Sequence, residues 1–194
     1  MLFHLPKARG FMPLCKIQLI EPVFEADTMS KSEDHLNEAF AGESQANRMY
    51  LAFAEKADLE GYPQAARLFR AAAEAEAVHA KNHLNAMKAV KATKENLREA
   101  IAGETHEFKE MYPGMIDAAI SEGDKAAERS FRYASDVEEI HARLYHDMME
   151  NLESRGVESS PYYVCPVCGM TAERVPPDKC PVCGVKGERF KRID

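Results

Sequence analysis

Glutamate and histidine stand three residues apart twice in this chain, as Glu76-Ala77-Val78-His79 and Glu138-Glu139-Ile140-His141. On a helix that spacing puts both side chains on one face, so each pair offers a metal one carboxylate and one imidazole. About 33 residues before each pair lies an Ala-Gly-Glu segment, ending at Glu43 and at Glu104. One Glu from each of two helices, with a Glu-x-x-His from each of two others, is the inward-facing donor set of a dinuclear carboxylate site in a four-helix bundle. A second donor set follows at Cys165-Pro-Val-Cys168 and Cys180-Pro-Val-Cys183. Its C-x2-C-x11-C-x2-C spacing, with Gly169 and Gly184 allowing tight turns around sulfur, suits tetrahedral thiolate coordination of either zinc or iron.

The elements that must position these groups form a repeat. Glu60-Gly61 aligns with Glu122-Gly123, Phe69-Arg70 with Phe131-Arg132, Glu76 with Glu138 and His79 with His141, all offset by 62 residues. Glu43 and Glu104 are offset by 61, which places a one-residue slip in the loop between. A helical hairpin that cannot bury its own apolar face should pair with its copy. Helix A is expected from about Ser32 to Glu60, with Gly61 ending it, and helix B from Pro63 to about Lys91. Helix C begins near Lys94, with a break at Pro113; helix D follows Gly123, and Gly156 ends the helical region. Four carboxylates on apolar stripes that carry no Lys or Arg call for a polyvalent cation, because an unpaired buried carboxylate costs several kcal/mol.

Bulk properties narrow the function classes. A net charge of −7 on 194 residues argues against non-specific nucleic-acid binding, which needs a basic surface. No stretch approaches the roughly 20 apolar residues of a membrane span. The domains read as an N-terminal extension over 1–29, a helical metal-binding domain over 30–156, a linker over 157–161 and a cysteine module over 162–194. The extension carries Pro6, Pro13, Pro22 and the unpaired Cys15; Met29 reads equally as an alternative start. Cysteines at metal spacing imply a reducing, cytoplasmic setting. Tyr162, Tyr163, Val167, Val182 and Phe190 are the expected apolar jacket of the module, and nothing reads as a pocket for an organic substrate.

Ala39-Phe40-Ala41-Gly42-Glu43-Ser44, Glu76-x-x-His79, Gly103-Glu104-x-x-Glu107, Glu138-x-x-His141 and the twin Cys-Pro-Val-Cys-Gly knuckles together resemble rubrerythrin over about residues 30–194. The resemblance implies an all-α fold, a ferritin-like four-helix bundle with a small C-terminal rubredoxin-like module. It implies a non-haem diiron peroxidase that reduces hydrogen peroxide to water. Glu43, Glu76, His79, Glu104, Glu138 and His141 would hold two irons, and Cys165, Cys168, Cys180 and Cys183 a third. Glu107 matches the family's additional glutamate, to which one iron moves from a histidine, here His79, on oxidation; the first repeat has Ala46 at that place. Charge balance gives a reason: four glutamates match two ferrous ions, whereas two ferric ions leave room for a fifth carboxylate and a solvent-derived bridge. Tyr50 and Tyr112 match tyrosines beside the family's metal site. The implied donor is rubredoxin or an NADH-dependent reductase. The short connection from Glu76 to Glu104 resembles that of relatives exchanging helix pairs between subunits, so a domain-swapped homodimer is expected. The competing reading is a ferritin-like ferroxidase with a zinc-stapled tail.

Overall fold

The computed structural model describes residues 30–152 and 159–194. The N-terminal extension with Cys15 and Met29, Gly156, and linker residues 157 and 158 lie outside them. The described residues up to His83 form one compact unit, and those from Leu84 onward a second.

The first unit is a helical hairpin. Helix α1 spans Lys31–Leu59; Ser30 caps it, its hydroxyl accepting from the Glu33 amide. Helix α2 spans Pro63–Ala86 and opens on a proline, whose missing N–H is not needed in a first turn. Between them Gly61 takes φ +81°, while the Tyr62 and Gly61 amides donate to the carbonyls of Ala57 and Asp58. This paired closure needs a left-handed residue just past the helix, which glycine supplies without strain. Ala54, Ala57, Ala66, Ala73 and Ala80 are buried, and small side chains of this kind let helices approach closely. Asn47 donates across the hairpin to the Ala73 carbonyl at 2.7 Å, and Arg70 pairs with Asp58 at 2.8 Å.

Helix α2 ends five residues before the expected Lys91. The Ala89 and Lys88 amides close back on Leu84 and Asn85, and Lys88 itself adopts φ +53°. A lysine in the position that glycine usually takes hides this helix end from composition. Asn96 then clamps the following turn, its side chain bonding both the N–H and the C=O of Lys91 at 2.9 Å.

The second unit repeats the hairpin with one change. Helix α3 spans Thr93–His106 and helix α4 spans Tyr112–Glu122, joined without a break by a π turn over Glu107–Met111. The Tyr112 N–H reaches back five residues to the Glu107 carbonyl. A π turn is an α-helix carrying one surplus residue. Alignment is offset by 61 up to Glu107 (opposite Ala46) and by 62 from Tyr112 (opposite Tyr50), so the slip lies inside the helix and not in a loop. The expected break at Pro113 is absent as well. Pro113 sits in the first turn of α4, directly after the widened turn, where its lack of an N–H is tolerated. Gly123, φ +73°, closes α4, and Asp124 caps helix α5, Lys125–Asn151, accepting from the amides of Ala126 and Ala127.

The cysteine module is a three-stranded antiparallel sheet in the order β2-β1-β3, with β1 Tyr162–Val164, β2 Thr171–Glu173 and β3 Lys191–Ile193. Cys165, Cys180 and Phe190 form its core, packed by Tyr163, Val182, Met170 and Val185. Two residues of the expected jacket are elsewhere. Neighbouring strand residues face opposite sides, so Tyr163 points inward and Tyr162 lines a cavity against α5. Val167, 49% exposed, sits at the tip of the first knuckle.

Candidate metal centres

The first unit gathers Glu43, Glu76 and His79, with one donor atom of each within 4.8 Å of the others. The second gathers Glu104, Glu138 and His141 in the same way. The geometries match closely. His79 Nδ1 lies 2.8 Å from Glu76 and 4.0 Å from Glu43; His141 Nδ1 lies 2.7 Å from Glu138 and 4.0 Å from Glu104. Helical spacing sets the short distance in each triad, and pairing of the two helices sets the long one. The environments differ: His79 is 53% exposed and His141 25%. All four glutamates are only partly buried, not sunk in a dry core. Glu74, His83 and Asp136 belong to neither triad.

Electrostatics at the second triad follow from the crowding of its carboxylates. Burial, the Glu138 charge and its hydrogen bond, and the Glu107 charge push the Glu104 carboxyl up to about 7. Burial also raises the Tyr112 hydroxyl, followed by the charges of Glu107, Glu138 and Glu104. Glu107 and Tyr112 therefore face the same anionic cluster, one from each end of the π turn. Tyr112 packs on Phe131 at 6.4 Å, as Tyr50 packs on Phe69 at 6.3 Å in the first unit, another echo of the repeat. Carboxylates that repel one another around an imidazole nitrogen suit a hard or borderline divalent cation.

Cys165, Cys168, Cys180 and Cys183 converge at the other centre, with Cys165 3.5 Å from Cys183 and Cys168 3.5 Å from Cys180. Metal–sulfur bonds of about 2.3 Å give a tetrahedron edge of about 3.8 Å, so a small relaxation admits an ion. The knuckles are built alike. Gly169 and Gly184, φ +84° and +77°, donate their amides to the carbonyls of Cys165 and Cys180, and the Cys165 and Cys180 amides donate in turn to the carbonyls of Met170 and Val185. Burial raises the thiols of Cys168 and Cys183. Burial opposes ionisation of Cys165 too, yet amides of Cys168 and Val167 and the neighbouring thiols hold it down to about 7. Thiols that burial pushes up at Cys168 and Cys183, beside a Cys165 sulfur that takes amide hydrogen bonds, suit a thiophilic metal.

The module packs on α5 beside the second triad. His141 Nε2 lies 3.0 Å from the Thr171 hydroxyl on β2, and Thr171 Oγ1 lies 3.2 Å from the Gly169 carbonyl. An apolar cavity of about 660 Å³ opens beside His141, lined by Leu97, Leu144, Tyr145, Met148 and Ile193. Sequence spacing carries no sign of either feature, since both depend on residues some 30 or more positions apart.

A helical protein with twin carboxylate–histidine triads and a four-cysteine knuckle module is the class these features define. The rubrerythrin sequence pattern matches residues 34–149, and the rubrerythrin rubredoxin-like domain matches residues 163–191. The chain belongs to the rubrerythrin family and has its ferritin-like fold. It is 40% identical to rubrerythrin-2 of Clostridium acetobutylicum, over 71% of this chain and 83% of that one. Identity to a rubrerythrin of Porphyromonas gingivalis is 36%, over 76% and 82%. The solved structure of fully reduced, all-ferrous nigerythrin is similar with a TM-score of 0.52 at 27% identity, over 97% of this chain and 100% of that one. Family members are generally oxidoreductases, and the donor sets here are of the kind that bind iron. No helix among the described residues is long and apolar enough to cross a membrane.

Proposed function

We propose that this chain is a non-haem diiron peroxidase, reducing hydrogen peroxide to two waters with two electrons and two protons. The observation that carries the reading is the pair of matched Glu–Glu–His triads together with a four-thiolate module seated against one of them. Iron in both centres is the metal identity proposed, in line with the all-ferrous nigerythrin relative. Two ferrous ions held by Glu43, Glu76, His79, Glu104, Glu138 and His141 would supply the two electrons. Around them the side chains divide the remaining work. Glu107, already facing Glu104 and Tyr112, balances the charge gained on oxidation, and the Tyr112 hydroxyl holds a proton beside the carboxylates. Tyr50 occupies the corresponding place in the first hairpin. Cys165, Cys168, Cys180 and Cys183 hold the iron through which electrons arrive from an external rubredoxin or NADH-dependent reductase in a reducing cytoplasm.

A complete dinuclear site takes both triads, and we propose that exchange of hairpins between two copies brings them together as a domain-swapped homodimer. A monomer by sedimentation at micromolar concentration would end that assembly. The activity is tested by anaerobic titration of the reduced protein with hydrogen peroxide, following ferric-thiolate colour. One peroxide consumed per two electrons is expected. Zinc in the thiolate site and no peroxide turnover would leave the ferroxidase with a stapled tail.

A further inference from the structure

The triad imidazoles are treated differently by the chain around them. Among the described residues only His141 has a further side-chain partner on its far nitrogen: the Thr171 hydroxyl, at 3.0 Å. We propose that Thr171 is a positioning residue for His141, fixing which ring nitrogen is offered to a metal. The inference rests on the reading of Glu104, Glu138 and His141 as metal ligands.

The argument follows the protons. A neutral imidazole carries one proton and offers one lone pair, and the hydrogen bond made by one nitrogen decides which lone pair is free. Nδ1 is the nitrogen facing the carboxylates, 2.7 Å from Glu138 and 4.0 Å from Glu104. For Nδ1 to bind a metal, the proton must sit on Nε2, which then needs an acceptor. Thr171 Oγ1 supplies it, and its own proton turns to the Gly169 carbonyl at 3.2 Å. Without metal the same hydroxyl can reverse, donating to Nε2 while Nδ1–H donates to Glu138. One rotatable O–H therefore serves both states, which a fixed carbonyl or an amide N–H could not do.

The backbone makes Thr171 hard to displace. It lies on β2, paired with Val164 of β1, two residues past Gly169 and three past the ligand-type Cys168. Gly169 is itself held by its amide bond to Cys165 and approaches Val137, one helical turn before His141. The cysteine knuckle thus fixes the hydroxyl, and the hydroxyl fixes the ring.

The test uses full-length protein with its thiolate site loaded, and zinc as a diamagnetic probe of the triads. Long-range nitrogen–proton correlation spectra read the His141 tautomer, and competition titration reads zinc affinity. Wild type is expected to show Nε2–H and metal-bound Nδ1. Thr171→Val keeps a β-branched residue in β2 but removes the acceptor, and should weaken zinc binding at this triad about ten- to hundredfold. Thr171→Ser should restore both signals, which a merely structural role would not predict once thiolate-site metal content is equal in all three proteins. Valine binding within twofold of wild type with the same tautomer would overturn the proposal, as would failure of serine to rescue. If wild type shows the tautomer and the affinity but no peroxide turnover, the peroxidase reading falls and this one stands.

Discussion

Raising the pH on metal-free protein should weaken it, and Glu104 is the reason. Its carboxyl moves from an ordinary 4.5 up to about 7 in the folded state, through burial and then repulsion from Glu138 and Glu107. Between those values the folded chain holds a proton that the unfolded chain has already lost. Stability therefore falls as pH rises from about 4.5 to about 7 and is level on either side. At about 1.4 kcal/mol per pH unit the full change is about 3 kcal/mol; solvent reaching a fifth of the side chain reduces this to about 1–2 kcal/mol. Glu104→Gln keeps the shape of the protonated acid and cannot lose the proton. The assay is urea denaturation of chelator-treated wild type and variant from pH 4.5 to 8. Relative to wild type, the variant should gain about 0.5–1 M in midpoint across that range, for slopes of about 1–3 kcal/mol per M. A wild type–variant difference that stays constant with pH, or moves the other way, refutes the reasoning. Loading with a divalent metal should abolish the slope and release protons on binding.

Three further outcomes are expected. Glu107→Ala should slow peroxide turnover about ten- to hundredfold while iron content at the triads is retained, as measured by metal analysis alongside steady-state kinetics; equal turnover would remove the charge-balancing role. Gly187→Ala would drive a Cβ into the Pro177 carbonyl beneath the second knuckle, costing about 1–3 kcal/mol and hastening metal loss to a chelator from the thiolate site. Asp124→Ala removes the cap that binds the Ala126 and Ala127 amides, and should cost about 1 kcal/mol, or about 2–4 °C in calorimetric midpoint.

Local spacing carried much of this protein. Glu76 with His79, and Glu138 with His141, are neighbours on any helix, and each Cys-Pro-Val-Cys is a single turn, so these contacts were legible before any tertiary structure. The helix ends at Gly61 and Gly123 were legible because a left-handed residue there favours glycine. The end at Ala86 was not, because Lys88 takes that conformation. The widened turn at Glu107–Met111 leaves only a one-residue change of offset, which alone does not tell a loop from a helix interior. Thr171 against His141 was invisible, since nothing in a strand residue says which helix its hydroxyl will meet.

The surplus residue in that turn also limits how far one half of the repeat can stand in for the other. A tract copied across positions 107–111 in either direction would add or remove a residue in mid-helix, turning everything downstream by about 100° about the helix axis. Such an exchange would misplace Tyr112 against Phe131, or Tyr50 against Phe69. The two halves are therefore interchangeable on either side of the slip but not across it, with Glu107 and Ala46 at its near edge.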